Sequence, residues 1–248
     1  MIPVTIANDG TVTTVSSSDP SWYNYDNKEW ANAVLVKQNG VKTRTQNKVA
    51  GTQINTSDIL AYFVWIPRYA YQIWDDDSTD TASNPQEIKI EWESGDKAYT
   101  NGLQVGEYRT HPAFWWDENG NRDIDSGETI AGIWVGKFET SASKSCTPEN
   151  YAAPNTGCNV ESTSTMYPKI VPDVTSWRGI MIGTNYNNIL DMNNEGNAYG
   201  FSTSDDTHMM KSMEWGAVAY LSHSKYGKDS EIEMNTNSNY YTGCGPTV

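Results

Sequence analysis

Ile59-Leu60-Ala61-Tyr62-Phe63-Val64-Trp65-Ile66-Pro67-Arg68-Tyr69-Ala70-Tyr71-Gln72-Ile73 is the most apolar segment of the chain. Aromatic and β-branched side chains dominate it, and these fit a pleated, half-buried surface. Pro67 has no N–H to give to a ladder, so it marks a bend or an edge position inside the run. A fold organised around this segment is built on strands.

The flanks agree. Trp30-Ala31-Asn32-Ala33-Val34-Leu35-Val36 is strongly β-prone, and Ile88-Lys89-Ile90-Glu91-Trp92 alternates as a half-buried strand does. Ile130 to Thr140 reads as a further strand. Residues 1–20 alternate Ile and Val with Thr and Ser before turning at Asp19-Pro20, which predicts an edge strand or extended arm. Residues 37–57 read as polar loop, Asp75-Asp76-Asp77 as a solvated turn, and residues 141–205 as mostly turn. The first persuasive helix comes late, where Met210, Met213, Ala217 and Leu221 share one face. Residues 1–50 are expected to form an N-terminal β-rich arm and residues 51–248 the main domain.

Composition narrows the function classes. With 37% hydrophobic residues, 10 Trp and 15 Tyr in 248 residues, the chain has enough apolar mass for a core and too much for disorder. Its net charge of −14 repels phosphate backbones, so nucleic acid is not an expected partner. Anionic membrane surfaces are disfavoured likewise, and no apolar run reaches the length of a membrane span. Cations are attracted, which suits a calcium-rich extracellular setting, although acidic charge also serves plain solubility. Met1-Ile2-Pro3-Val4-Thr5-Ile6 lacks the pattern of a signal peptide, which leaves either a cytosolic protein or, the preferred expectation, a processed or trimmed piece.

Cys146 and Cys158 bracket a turn-rich loop with Pro148, Pro154 and Gly157. A disulfide between them is expected, and closing such a loop is worth about 3 kcal/mol. Cys244 is the odd one, either free or paired beyond Val248.

Three segments together carry a family resemblance. Val64-Trp65-Ile66-Pro67, Ile133 to Thr140 arriving after His111-Pro112, and Ser212-Met213-Glu214-Trp215-Gly216-Ala217-Val218-Ala219-Tyr220 occur in the order found in the formylglycine-generating-enzyme-like family. They resemble its V-x-I-P-G-G-x-F strand, its strand ending Y-E-V-T and its helix L-P-T-E-A-E-W-E-Y-A. The resemblance implies an α+β, C-type-lectin-like fold, loop-rich with few helices. Arg68-Tyr69 stands where that family has Gly-Gly, and its later G-x-x-D-M-x-G-N-V-W-E-W segment has no counterpart here. Catalytic members carry a cysteine pair in that later portion, so the activity does not carry over to Cys244. Trp22-Tyr23-Asn24-Tyr25-Asp26, Trp30 to Val34 and Thr207-His208-Met209-Met210 also resemble stretches of large surface proteins of gut-type Gram-positive bacteria.

Trp115-Trp116-Asp117-Glu118-Asn119-Gly120-Asn121-Arg122-Asp123-Ile124-Asp125-Ser126-Gly127-Glu128 holds the candidate metal site. With Asp117 as position 1, Asn119, Asn121, Asp125 and Glu128 fall at positions 3, 5, 9 and 12, and Asp123 offers its carbonyl from position 7. Calcium takes hard oxygen ligands, and alternation lets a winding backbone aim them inward. The loop glycine expected at position 6 is replaced by Arg122. The spacing therefore resembles the D-x-N-x-N-G-x-x-D-x-x-E loops of bacterial surface modules more than an EF-hand. A calcium ion here would be structural, with an affinity of about 10⁻⁴ to 10⁻³ M. The alternative is a solvated acidic turn.

Other signals are weaker. His111, His208 and His223 lack triad or H-E-x-x-H spacing, and Glu139 and Glu214 read as packing or capping residues as readily as an acid–base pair. Trp115, Trp116, Tyr240 and Tyr241 can be read as a sugar-stacking platform or as packing anchors. The sequence leads to a non-catalytic, extracellular adhesion domain from a bacterial surface protein or phage fibre. Its expected partner is a protein or glycan on another surface. The alternatives are a formylglycine-generating-type oxidase fragment and a structural subunit meeting its neighbours in a surface filament.

Overall fold

The computed structural model describes residues 1–73, 88–95, 107–121, 123–142, 168–174, 176–177, 180–194 and 196–228. In chain order its strands are β1 (Ile2–Ile6), β2 (Val12–Thr14), β3 (Asn32–Val36), β4 (Gln53–Ile54), β5 (Ile59–Pro67) and β6 (Tyr69–Gln72). There follow β7 (Lys89–Trp92), β8 (Arg109–Thr110), β9 (Gly132–Gly136), β10 (Ser141–Ala142) and β11 (Pro168–Lys169). The helices are α1 (Arg44–Asn47), α2 (Ile182–Leu190) and α3 (Ser212–Ser222). All strand pairings between these elements are antiparallel, so the architecture is mixed α+β with few helices.

The chain divides into two compact units, Met1–Pro67 with Gly132–Ser212, and Arg68–Ala131 with the chain from Met213 onward. Pro67 is the divide. The apolar segment that reads as one run becomes β5 in the first unit and β6 in the second.

Unit 1 holds a six-stranded sheet in the order β4-β2-β1-β3-β5-β9 and the small sheet β10-β11. Residues 1–50, expected as an arm, supply β1 to β3 and α1, and β1 lies inside the sheet between β2 and β3 rather than at its edge. Alternation explains why both faces are covered. Val34 and Val36 join Ile2, Val4, Val12, Ile54, Ile59 and Tyr62 on one face, while Leu35 joins Leu60, Ala61, Met192 and Tyr199 on the other. Ile59 and Tyr62 share a face despite standing three apart because the register slips at Leu35/Val36, leaving Leu60 without a residue opposite it.

Gly132 sits across from Pro67, where a Cβ would run into the Ile66 carbonyl oxygen. Only glycine admits that approach. Helix α1, within the stretch read as loop, starts on a capping box in which Thr43 Oγ1 accepts from Gln46 N and Gln46 Oε1 accepts from Thr43 N. Helix α2 precedes the one expected from the sequence. Its Asn-rich run IGTNYNNIL has weak helix propensity, and Ile189 packs it onto the Leu35 face.

Unit 2 centres on β6, flanked by β7 and β8. Ile90 is buried and Lys89 and Glu91 are exposed on β7, as its alternation predicts. Helix α3 packs through Ala217 and Leu221, and Tyr69 Oη donates to the Ala217 carbonyl at 2.7 Å. Met210 and Met213, expected on the same apolar face, are 42% and 58% exposed. Tyr69 is fully buried and its ring meets those of Trp92, His111 and Phe114.

Arg68 opens this unit with a guanidinium that is almost wholly buried, and its Nε lies 3.2 Å from Oε2 of the equally buried Glu93. Thr110 Oγ1 donates to the same carboxylate at 3.0 Å, which joins β8 to the pair. Breaking such a pair strands a charge, whereas replacing both partners with apolar groups is often nearly neutral. Arg68→Met is therefore expected to lower stability by about 3–5 kcal/mol, and Arg68→Met with Glu93→Leu by much less. Urea unfolding followed by fluorescence checks this, and equal losses in the single and double variants would refute it.

Candidate functional site

The loop at residues 117–128 leaves and rejoins unit 2 through adjacent backbone. Trp115 bridges Thr129, Ile130 N donates to the Phe114 carbonyl, and Trp116 N donates to the Glu128 carbonyl at 3.0 Å. Phe114, fully buried at the end of the 3-10 turn Pro112–Phe114, ties the incoming segment to the aromatic core. On the outgoing side Arg68 Nη1 donates to Thr129 Oγ1 at 3.2 Å and to the Ile130 carbonyl at 3.3 Å. The mouth of the loop is thus fastened to the buried ion pair.

Within the loop, short polar side chains turn the backbone by binding their own neighbours. Asp117 Oδ1 accepts from Gly120 N at 2.7 Å, Asn119 Oδ1 from Asn121 N at 2.9 Å, and Asn121 Oδ1 from Asp123 N at 2.8 Å. Gly120 and Gly127 take φ of +77° and +91°, a region costly for other residues. They supply the turn points that a glycine at position 6 would otherwise provide. Arg122 lies outside the described residues.

Two groups of contacts then divide the carboxylates. The Asn119 and Asn121 side-chain amides both donate to Asp125 Oδ2, at 2.7 and 2.9 Å, so positions 3, 5 and 9 converge. Glu128 is buried and faces inward differently. Its Oε1 accepts from Glu118 N at 3.0 Å and its Oε2 from Asp125 N at 3.1 Å. This carboxylate braces the loop across its own closure.

The donor chemistry suits a hard cation: Asp117, Asn119, Asn121, Asp125 and the Asp123 carbonyl are all oxygen donors within one winding segment. The arrangement also shows what a cation would displace. The two Asn amides give Asp125 the positive partner that an ion would give it, and bidentate Glu128 ligation would exchange two backbone N–H bonds. Among the described residues no group of three or more His, Cys, Asp or Glu side chains is gathered for a metal.

Compared with models of protein families, with characterised proteins and with solved structures, the chain matches none.

The remaining candidates separate clearly. Trp115 is half-buried and Trp116 is 44% exposed beside the loop mouth. Tyr240, Tyr241, Cys146, Cys158 and Cys244 lie outside the described residues. Glu214 stands in the first turn of α3, where a negative charge suits the helix dipole. His208 Nδ1 lies 2.7 Å from the Asp206 carbonyl, a local turn contact. Arg68 and Glu93 were legible only as a charge inside the most apolar segment and an acid after an alternating strand. A charge so placed requires a partner, and that is the signal that finds it.

His111 is a core residue. It is 3% exposed, its Nδ1 accepts from Ala113 N at 3.2 Å, and the rings of Tyr69, Tyr71, Phe114 and Tyr220 surround it. Burial disfavours the imidazolium and pushes its pKa down from 6.5 to about 4. In the unfolded chain the ring protonates first, so its contribution is present above the unfolded value and is lost as pH falls toward the folded one. Between pH 6.5 and about 4 this loss amounts to about 3 kcal/mol. His111→Asn, which keeps the capping acceptor, is expected to be less stable at pH 7 and to show a correspondingly flatter decline. Parallel pH profiles for the two proteins in denaturant unfolding would refute the assignment.

Proposed function

We propose that this chain is a non-catalytic, extracellular recognition domain of a bacterial surface or appendage protein, with a C-type-lectin-like scaffold and a loop at 117–128 ordered by calcium. The convergence of Asn119 and Asn121 on Asp125 carries the reading, since their carboxamide N–H groups meet on the one carboxylate where a cation would take their place, with their oxygens one amide rotation away. The ion's ligands are Asp117, Asn119, Asn121, Asp125 and the Asp123 carbonyl, with Glu128 closing the set or bracing it. The antiparallel, loop-rich α+β architecture supports the scaffold assignment. Loops held on rigid strands tolerate sequence change and suit binding, and the partner is a protein or glycan on another surface. His111, the histidine that accompanies the family-like strand, is engaged in packing and capping, which supports a role without proton transfer. No described helix is long and apolar enough to cross a membrane.

Calcium in this role acts by binding the folded state alone. At about 10 mM calcium and a dissociation constant near 1 mM the gain is about 1.4 kcal/mol, which raises the melting midpoint by about 3–6 °C. Asp117→Asn keeps the turn to Gly120 N and removes one charge, so it is expected to erase the calcium-dependent rise while melting as the parent does in chelator. Glu128→Gln is expected to lower the midpoint in chelator as well, because its carboxylate holds two backbone amides. An unchanged midpoint for the parent chain at 10 mM calcium, about tenfold above that constant, would remove the site. Calcium-dependent retention on immobilised glycans reads the recognition role, and oxidation of a cysteine-bearing peptide by the purified chain would overturn the non-catalytic one.

A further inference from the structure

Six aromatic rings of unit 1 run in one unbroken row. Trp65 and Trp134 face each other across β5 and β9 with centroids 5.2 Å apart, and Trp22 leans on Trp134 at 6.4 Å. Tyr23 continues from Trp22 at 5.8 Å, Tyr25 from Tyr23 at 5.0 Å, and Trp30 from Tyr25 at 5.0 Å. None of the six is buried and Tyr23 is 44% exposed, whereas Tyr62 and Tyr199 of the same unit lie in its core. Trp and Tyr are ordinarily well covered, and a contiguous apolar surface left open and rimmed by polar groups marks a contact site. The rings are also held still. Trp22 Nε1 donates to the Val4 and Asn32 carbonyls at 3.2 and 3.1 Å, and Trp65 lies over Gly132, where a Cβ would come 2.6 Å from its Cζ2. A surface fixed before binding loses little freedom on binding.

Nucleobases, protein side chains and sugars all stack on such rings, and charge and composition choose among them. The turn that joins Tyr25 to Trp30 exposes Asp26 and Glu29 against one cation, Lys28, on a chain of net charge −14. Single-stranded nucleic acid needs a positively charged groove beside its stacking rings, so it is excluded, and so are acidic polysaccharides. A protein interface mixes its aromatic rings with Met and Arg. Here the row is aromatic throughout, and Val41, Val49, Met181 and Ile182, the most exposed aliphatic side chains of unit 1, stand on other segments. A sugar ring whose substituents are all equatorial turns a face of C–H bonds to the stack, and those weakly positive hydrogens meet the negative face of an aromatic ring. Its hydroxyls project at the edge and need acceptors and donors. The exposed carboxylates of Asp26 and Glu29 and the exposed carboxamides of Asn24 and Asn27 supply them on the turn that carries Tyr25. A row of six rings also outreaches a single sugar, so the ligand that fits it is a chain.

We propose that this row binds a neutral, unbranched oligosaccharide of β-linked, equatorially substituted sugars, laid along Trp134, Trp22, Tyr23 and Tyr25. This binding rests on the glycan reading of the partner given above, and it needs no calcium. The test is calorimetric titration of the whole chain, in chelator, with cellohexaose and with chitohexaose, which share the flat C–H faces and tell a glucan from a chitin source. Saturable binding of at least one is expected, at least about tenfold tighter than the matching disaccharide. Tyr23→Ala is expected to weaken it about tenfold or more, Tyr23→Phe to bind as the parent does because the ring is kept, and Trp215→Ala, an exposed tryptophan of unit 2, to change nothing. No saturable heat with either hexasaccharide, equal affinity for hexasaccharide and disaccharide, or parent-like binding by a folded Tyr23→Ala chain overturns the assignment. Glycan retention that requires calcium and survives Tyr23→Ala overturns it too, while leaving the role of the 117–128 loop intact. Chelator-resistant binding by a chain whose melting ignores calcium supports the row and removes the loop site.

Discussion

A guanidinium taken out of water must be given a counter-charge and enough hydrogen bonds to replace its hydration. Arg68 receives both from different parts of unit 2. Glu93 follows β7, Thr110 ends β8 and binds the same carboxylate, Ser94 accepts from Nη2, and Thr129 and Ile130 lie where the 117–128 loop returns. Any arrangement that separates these segments leaves a charge unpaired in the interior. The pair adds little net stability compared with a well-packed apolar core, but it makes wrong arrangements expensive. Register and loop position in unit 2 follow from that constraint.

The loop inherits its order from this anchor at its outgoing end and from Glu128, whose carboxylate reaches back to Glu118 N near its start. Five carboxylates within twelve residues repel one another unless they are given separate partners. Asp117 turns toward Gly120 N, Asp125 takes two carboxamides, and Glu128 takes two backbone amides. The acids are thus spread over distinct donors, and only around Asp125 do several side chains meet. A cation in this loop would act where the convergence already exists and would compete with Asn N–H groups for one carboxylate.

Legibility differed by element for physical reasons. The alternation of Ile88 to Trp92 survives as β7 because one face of that strand is wet and the other dry. The spacing of Ala217 and Leu221 survives as the buried stripe of α3, whereas Met213 shares the periodicity and is exposed, since periodicity places a side chain on a face without saying what covers it. Helix α2 escaped the pattern because its Asn-rich sequence is a poor helix former held by packing at Ile189. The interior position of β1 was equally hidden: an alternating strand reads the same with one neighbour or two.

Local chemistry by itself determined that residues 59–73 form strand with a break at Pro67, that the chain is rich in strands and loops with few helices, and that residues 117–128 carry alternating oxygen side chains. These follow from side-chain shape, a missing N–H and spacing along the backbone. Tertiary structure decided the rest. It split the apolar segment between two sheets, shifted the face of β5 through a bulge at Leu60, turned Glu128 onto the backbone, and made Arg68 the buried centre of unit 2. Such outcomes depend on which distant groups share an interior, because the cost of burying a charge or an acceptor is set by its neighbours in space and not by those in sequence.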